Sequence, residues 1–117
     1  MKTYLIILAS IALFTTSCVQ KTYKKTVVFN VDVSKIKDIK TVGIRGDKPF
    51  DWNYDNEMKA VIKDSLYTIT QTFETGYKFV EVKFTVNGNF ELAEKDNRRV
   101  YFGEGEKTVF NSVFDKN

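Results

Sequence analysis

Histidine is absent from the 117-residue sequence, and cysteine, proline and tryptophan each occur once. Without histidine there is no Ser-His-Asp or Cys-His couple, no imidazole acid–base chemistry near neutral pH, and no His-containing zinc or iron site. A lone cysteine cannot close an internal disulfide. One proline and six glycines exclude a collagen-like or Pro/Gly-rich low-complexity chain. No apolar run reaches the roughly 20 residues that a membrane-spanning helix needs. What is plentiful is aromatic: ten Phe and six Tyr beside the single Trp, in a chain of one-domain length. Catalysis thus has no nucleophile–base pair to start from. A small aromatic-rich binding or structural domain is what the composition leaves.

The amino terminus has the layout of a secretory signal: Lys2, then the unbroken apolar stretch Leu5 to Phe14, then Thr15-Thr16-Ser17-Cys18. A small residue directly before a lone cysteine resembles the lipobox of bacterial lipoproteins, which implies cleavage after Ser17 and acylation of Cys18. A secretory signal followed by a free thiol, and an uncleaved anchor, are the competing readings. Residues 1–17 are read as signal peptide, 18–25 as lipidated cysteine and basic tether, and 26–117 as the folded domain. Only Lys2 leaves with the signal, so 17 basic side chains face 15 acidic ones in the mature chain. With lysines so dispersed there is no nucleic-acid footprint. Lys21, Lys24 and Lys25 follow the anchor closely, and each lysine adds about 1 kcal/mol of attraction to an anionic membrane surface; a solvated tether is the plainer account. Val19-Gln20-Lys21 does not resemble an acidic surface-export signal. The expected location is therefore the cell envelope, lipid-anchored at the outer membrane and facing the periplasm, with the cell surface as the alternative.

Beyond the tether the apolar residues keep period two, the mark of half-buried strands. Val27, Phe29, Val31 and Val33 alternate with Val28, Asn30 and Asp32, and Val42 and Ile44 repeat the pattern before Gly46-Asp47-Lys48-Pro49 breaks it. Met58 to Ile62 is a shorter run. Leu66 to Phe73 sets a threonine ladder, Thr68, Thr70 and Thr72, against Tyr67, Ile69, Gln71 and Phe73. The longest run, Tyr77 to Val86, meets Asn87-Gly88, a type I′ hairpin signal, and returns as Asn89 to Leu92. Arg98 to Phe102 and Lys107 to Phe114 complete the set. No stretch has a convincing helical period. Seven to eight short strands with regular turns predict an all-β, antiparallel β-sandwich with most of the phenylalanines in its core.

The order of Gly43 to Asn53, with Asp51-Trp52-Asn53 at its end, then Tyr77-Lys78-Phe79, Phe90-Glu91 and Asn97-Arg98, resembles the starch-binding domains of carbohydrate-binding module family twenty and the related glycogen-binding modules. The likeness spans roughly Val27 to Phe102. It implies an immunoglobulin-like sandwich that binds α-glucan without cleaving it, with no cofactor. It assigns Trp52 and Phe90 to sugar stacking and Lys78 and Asn97 to hydrogen bonding. Phe90 stands where the family usually carries tryptophan. Such chemistry is sound in itself, because a pyranose has an apolar face for an aromatic ring and hydroxyls for ammonium and amide groups.

Each residue also has a plainer role. Trp52 can anchor its loop, Lys78 can be a solvated strand residue, Phe90 can be core, and Asn97-Arg98 can be a bend. Asp47, Asp51 and Asp55 gather carboxylates in one loop, yet Asp is an ordinary turn former and the spacing is not that of a calcium loop, so no metal is assigned. Paired carboxylates such as Glu91 and Glu94 could do glycosidase work, yet nothing sets them across a cleft. The expectation is a lipid-anchored, non-catalytic glycan-binding module. The alternative is a structural or protein-interaction sandwich that docks onto an envelope protein and binds no glycan.

Overall fold

A computed structural model describes residues 21–117, all of it strand and connection with no helix. Cys18 and the segment 1–17 lie outside the described residues. Nine strands form: β1 (Tyr23–Asp32), β2 (Val42–Gly46), β3 (Asn56–Glu57), β4 (Lys59–Ile62), β5 (Leu66–Thr75), β6 (Phe79–Val86), β7 (Asn89–Phe90), β8 (Arg98–Tyr101) and β9 (Lys107–Val113). The two-residue β3 is the strand that periodicity cannot reveal, since two residues carry no period. The hairpin's return strand is cut from four residues to two.

Two sheets pack face to face. The first runs β4-β5-β1-β9; in the second, β3-β2-β6 is extended by β7 and β8, which share the remaining edge of β6. The sandwich is not purely antiparallel as expected: β1 pairs antiparallel with β5 but parallel with β9, with Phe29 opposite Phe110. A parallel neighbour requires a long crossover, and here the whole intervening chain serves as one.

The alternation read from sequence sets the layers. Val27, Phe29 and Val31 of β1, Val42 and Ile44 of β2, and Val80, Val82, Phe84 and Val86 of β6 turn inward and are buried. Phe29 lies at the centre, with its ring 5.6 Å from Phe50, 6.1 Å from Phe73 and 6.3 Å from Phe110, all in tilted or edge-on contact. The threonine ladder faces outward, where the Thr26 and Thr72 hydroxyls are 2.8 Å apart and Asn30 donates to Asn111 at 2.9 Å. At the β6–β7 turn Asn87 and Gly88 take φ of 53° and 79°, as a type I′ turn requires. The Asn87 side chain accepts from the backbone N–H groups of Lys40 and Thr41 at 2.7 and 3.1 Å, fixing the β1–β2 link to this end.

Between β7 and β8 the edge of β6 has a gap in its ladder. Buried backbone N–H groups must find acceptors, and the Phe84 N–H finds the carboxylate of the fully buried Glu91 at 2.9 Å. That carboxylate also takes two bonds of 2.7 Å from Arg98 and one of 3.1 Å from the Asp115 N–H.

Candidate glycan-binding face

On the outer surface of the second sheet the pleat brings Arg45, Lys83, Thr85 and Phe90 together. Arg45 is opposite Lys83, and Thr85 is opposite both Gly43 and Phe90. Phe90 decides the interest of this face. Among the described residues the other phenylalanines are buried or half-buried, whereas Phe90 is 42% exposed. β7 carries it outward because its parity is that of Thr85.

Two cations hold the ring. The Arg45 guanidinium carbon is 5.0 Å and the Lys83 ammonium 5.9 Å from its centroid, close enough for cation–π attraction of about 0.5–1 kcal/mol each at a partly exposed site. Neither cation is loose. Arg45 donates through Nε to Asp55 at 2.7 Å and through a terminal nitrogen to the Trp52 carbonyl at 3.4 Å. Asp55 also accepts from the buried Thr85 hydroxyl at 3.0 Å. Lys83 donates to the Leu92 and Lys95 carbonyls at 3.1 and 2.9 Å, which leaves one of its three N–H donors. Gly43 makes the arrangement sterically feasible: a Cβ there would stand 2.8 Å from the Thr85 hydroxyl and 3.0 Å from the Asp55 Cβ.

Trp52 is half-buried in the β2–β3 link, joined to Phe90 through Arg45. Arg45 reaches Trp52 at its backbone carbonyl, and among the described residues the indole is not in the close ring pairs, so the two rings are not a stacked pair. The other two expected contacts lie apart. Lys78 is exposed in the bend just before β6, at the end of that strand far from Thr85, which is six residues or about 20 Å from Phe79 along the strand. Asn97 is exposed in the bend after β7, where it lines a separate recess with Leu92, Glu94 and Lys95.

Lys83 and Arg45 are the residues that sequence reasoning missed, and Asp55 was weighed only as one of the loop carboxylates. A signal for Lys83 was present: Lys-Phe occurs twice, at 78–79 and 83–84, and only the second copy lies beside the Asn87-Gly88 hairpin that returns Phe90. The loop carboxylates do not converge. Asp47 accepts from the Glu81 N–H, Asp51 from the Asn53 N–H, and Asp55 from Arg45 and Thr85. Among the described residues no cluster of three His, Cys, Asp or Glu side chains is placed to hold a metal ion. Glu91 is engaged in the edge of β6, and Glu94 sits exposed in the bend.

No family model matches the sequence, and no curated protein matches it. The resemblance of motif order therefore has no wider match behind it.

Proposed function

We propose that the domain is a non-catalytic carbohydrate-binding module of the cell envelope whose glycan rests on the outer face of the second sheet. Phe90 offers the platform, the motif order assigns Trp52 beside it, and Arg45, with the one remaining N–H of the buried Lys83, supplies donors to sugar hydroxyls in the roles the motif order had given to Lys78 and Asn97. The observation that carries this reading is the exposed Phe90 ring held between two anchored cations on a rigid sheet. A surface built this way meets a pyranose without reorganising, which lowers the ordering cost of binding. One phenylalanine and one half-buried indole give shallow contact, so affinities in the micromolar to millimolar range are expected, about −8 to −4 kcal/mol. The choice of α-glucan comes from the motif resemblance.

Affinity electrophoresis through gels containing soluble starch, glycogen or a β-glucan tests the reading. Retardation by the α-glucans that is lost in Phe90→Ala and reduced in Trp52→Ala supports it. Mobility unchanged by every glycan overturns it. A docking role draws instead on Val61 and Ile62, each 59% exposed on the edge strand β4, and capture of an envelope protein that Ile62→Lys abolishes would favour it.

A further inference from the structure

At the end of the sandwich opposite the Asn87-Gly88 turn, the start of β1, the β5–β6 link and the end of β8 enclose an opening of about 580 Å³. Tyr23, Tyr77, Tyr101 and Phe102 wall it, with Lys21, Lys25 and Lys78, and no acidic side chain is in the lining. The three tyrosines are 56%, 76% and 60% exposed, an unusual concentration for one corner of a small domain. The corner is firmly built. Tyr101 packs on Phe79 at 5.4 Å, Phe102 on Phe73 at 6.1 Å, and the Lys25 ammonium closes the β8–β9 turn through the Gly103 and Gly105 carbonyls at 3.2 and 2.9 Å. Lys25 is thus tied inward, while Lys21 and Lys78 stay exposed.

The chain also enters the domain here. The Lys21 carbonyl lies 3.0 Å from where a Cβ of Gly76 would stand, so the first described residue is seated on the β5–β6 link. Lys21 follows Cys18 by three positions and the last residue of the apolar stretch, Phe14, by seven. Three residues span at most about 10 Å and seven about 25 Å. Whether Cys18 is acylated or the apolar stretch itself is retained, that tether is too short for the domain to turn this end away from the bilayer. Tyrosine and lysine are the side chains suited to such a position, the ring at headgroup depth and the ammonium on lipid phosphate.

We propose that this corner is the membrane-facing end of the domain, where Tyr23, Tyr77 and Tyr101 with Lys21 and Lys78 rest on the anionic phospholipid headgroups of the bilayer that holds the amino terminus. The proposal rests on the membrane attachment read from residues 5–18 and is independent of the glycan reading. It leaves the Phe90 face to the side, near the far end of β6, open to a ligand.

The test is photo-crosslinking of the full-length chain, reconstituted in vesicles of phosphatidylcholine with phosphatidylglycerol. p-Benzoylphenylalanine replaces Tyr77, Tyr101 or, beside the Asn87 turn, Lys40. Phospholipid adducts form at positions 77 and 101 and not at 40. Since one lysine at an anionic surface is worth roughly a five-fold bias, Lys21→Glu with Lys78→Glu lowers the adduct yield by at least that factor, and omitting phosphatidylglycerol does the same. Equal lipid adducts at 40 and 101, or a yield indifferent to both charge changes, overturns the proposal. So does a starch oligosaccharide that becomes crosslinked at 101 in place of lipid. Phe90→Ala leaves the lipid adducts intact, so failure of the glycan reading is seen separately.

Discussion

Removing the Glu91 carboxylate is predicted to destabilise the domain more than any other change to a polar group. The side chain is fully buried and Arg98 is 10% exposed, so their ion pair is screened little by water. Breaking such a pair from one side typically costs about 3–5 kcal/mol, because the remaining charge stays buried without its partner. Two backbone N–H groups lose their acceptor with it, that of the buried Phe84 and that of the exposed Asp115, and the orphaned buried donor costs about 1–3 kcal/mol. Partial opening of the β7–β8 bend lets water reach some of these groups, so the sum is an upper bound and about 3–5 kcal/mol is expected for Glu91→Ala. In a domain of this size that is a fall in Tm of roughly 12–40 °C.

Calorimetry and urea unfolding of Glu91→Ala, Arg98→Ala and the double variant provide the assay. Arg98→Ala costs less, since Glu91 keeps both backbone donors, although Arg98 also loses bonds of 2.9 and 2.8 Å to the Val113 and Lys116 carbonyls that tie down the carboxyl-terminal segment. The double variant falls well short of the sum of the two, because the unpaired charge is gone while the orphaned N–H groups remain. A cost below about 1 kcal/mol for Glu91→Ala would refute the reasoning, since that is the worth of an exposed pair.

Three further outcomes follow from the same structure. Gly46→Ala places a Cβ 2.6 Å from the Glu81 carbonyl and 2.8 Å from Val82, so the β2–β6 pairing must spread; a loss of about 1–3 kcal/mol is expected in urea unfolding. Asp55→Ala leaves the buried Thr85 hydroxyl without its acceptor and Arg45 unpinned; it lowers stability by about 1–3 kcal/mol, and the added change Thr85→Val restores part of the stability but none of the glycan retardation. Asp32 titrates below its ordinary 3.8 because the Ser34 side chain and backbone N–H bond its carboxylate. With the folded value depressed, its contribution to stability is present at neutral pH and is lost as the pH falls below 3.8 through the folded value. NMR titration of Asp32 in the parent and in Ser34→Ala checks this, and an unaltered value in the variant would contradict it.

The layers of the fold were legible because burial on one face forces period two: Val27 to Val33 obey it without exception, and Val80 to Val86 alternate in residue type although Lys83 and Thr85 on the outer face are buried as well. The parallel seating of β9 against β1 was not, since pairing partners far apart in sequence leave no local trace; nothing in Lys107 to Val113 says which strand it will join. The site was half legible. Phe90 is exposed on the outer face of the second sheet as a stacking residue would be, but telling which lysine accompanies it required the register of β6.

The two Lys-Phe pairs show what register adds. Lys78 lies in the bend before β6 and Lys83 within the strand, and only the pairing of Thr85 with Phe90 tells which lysine stands by the ring. The same register separates the polar chemistry of β6 into two ends. Near the hairpin Lys83, Arg45 and Asp55 fix one aromatic ring; at the strand's start Lys78 joins tyrosines at the point where the chain enters the domain. If the amino terminus holds this chain to a bilayer, the short tether makes the lysine that motif order gave to sugar a headgroup contact, and the lysine it passed over is the one buried beside Phe90.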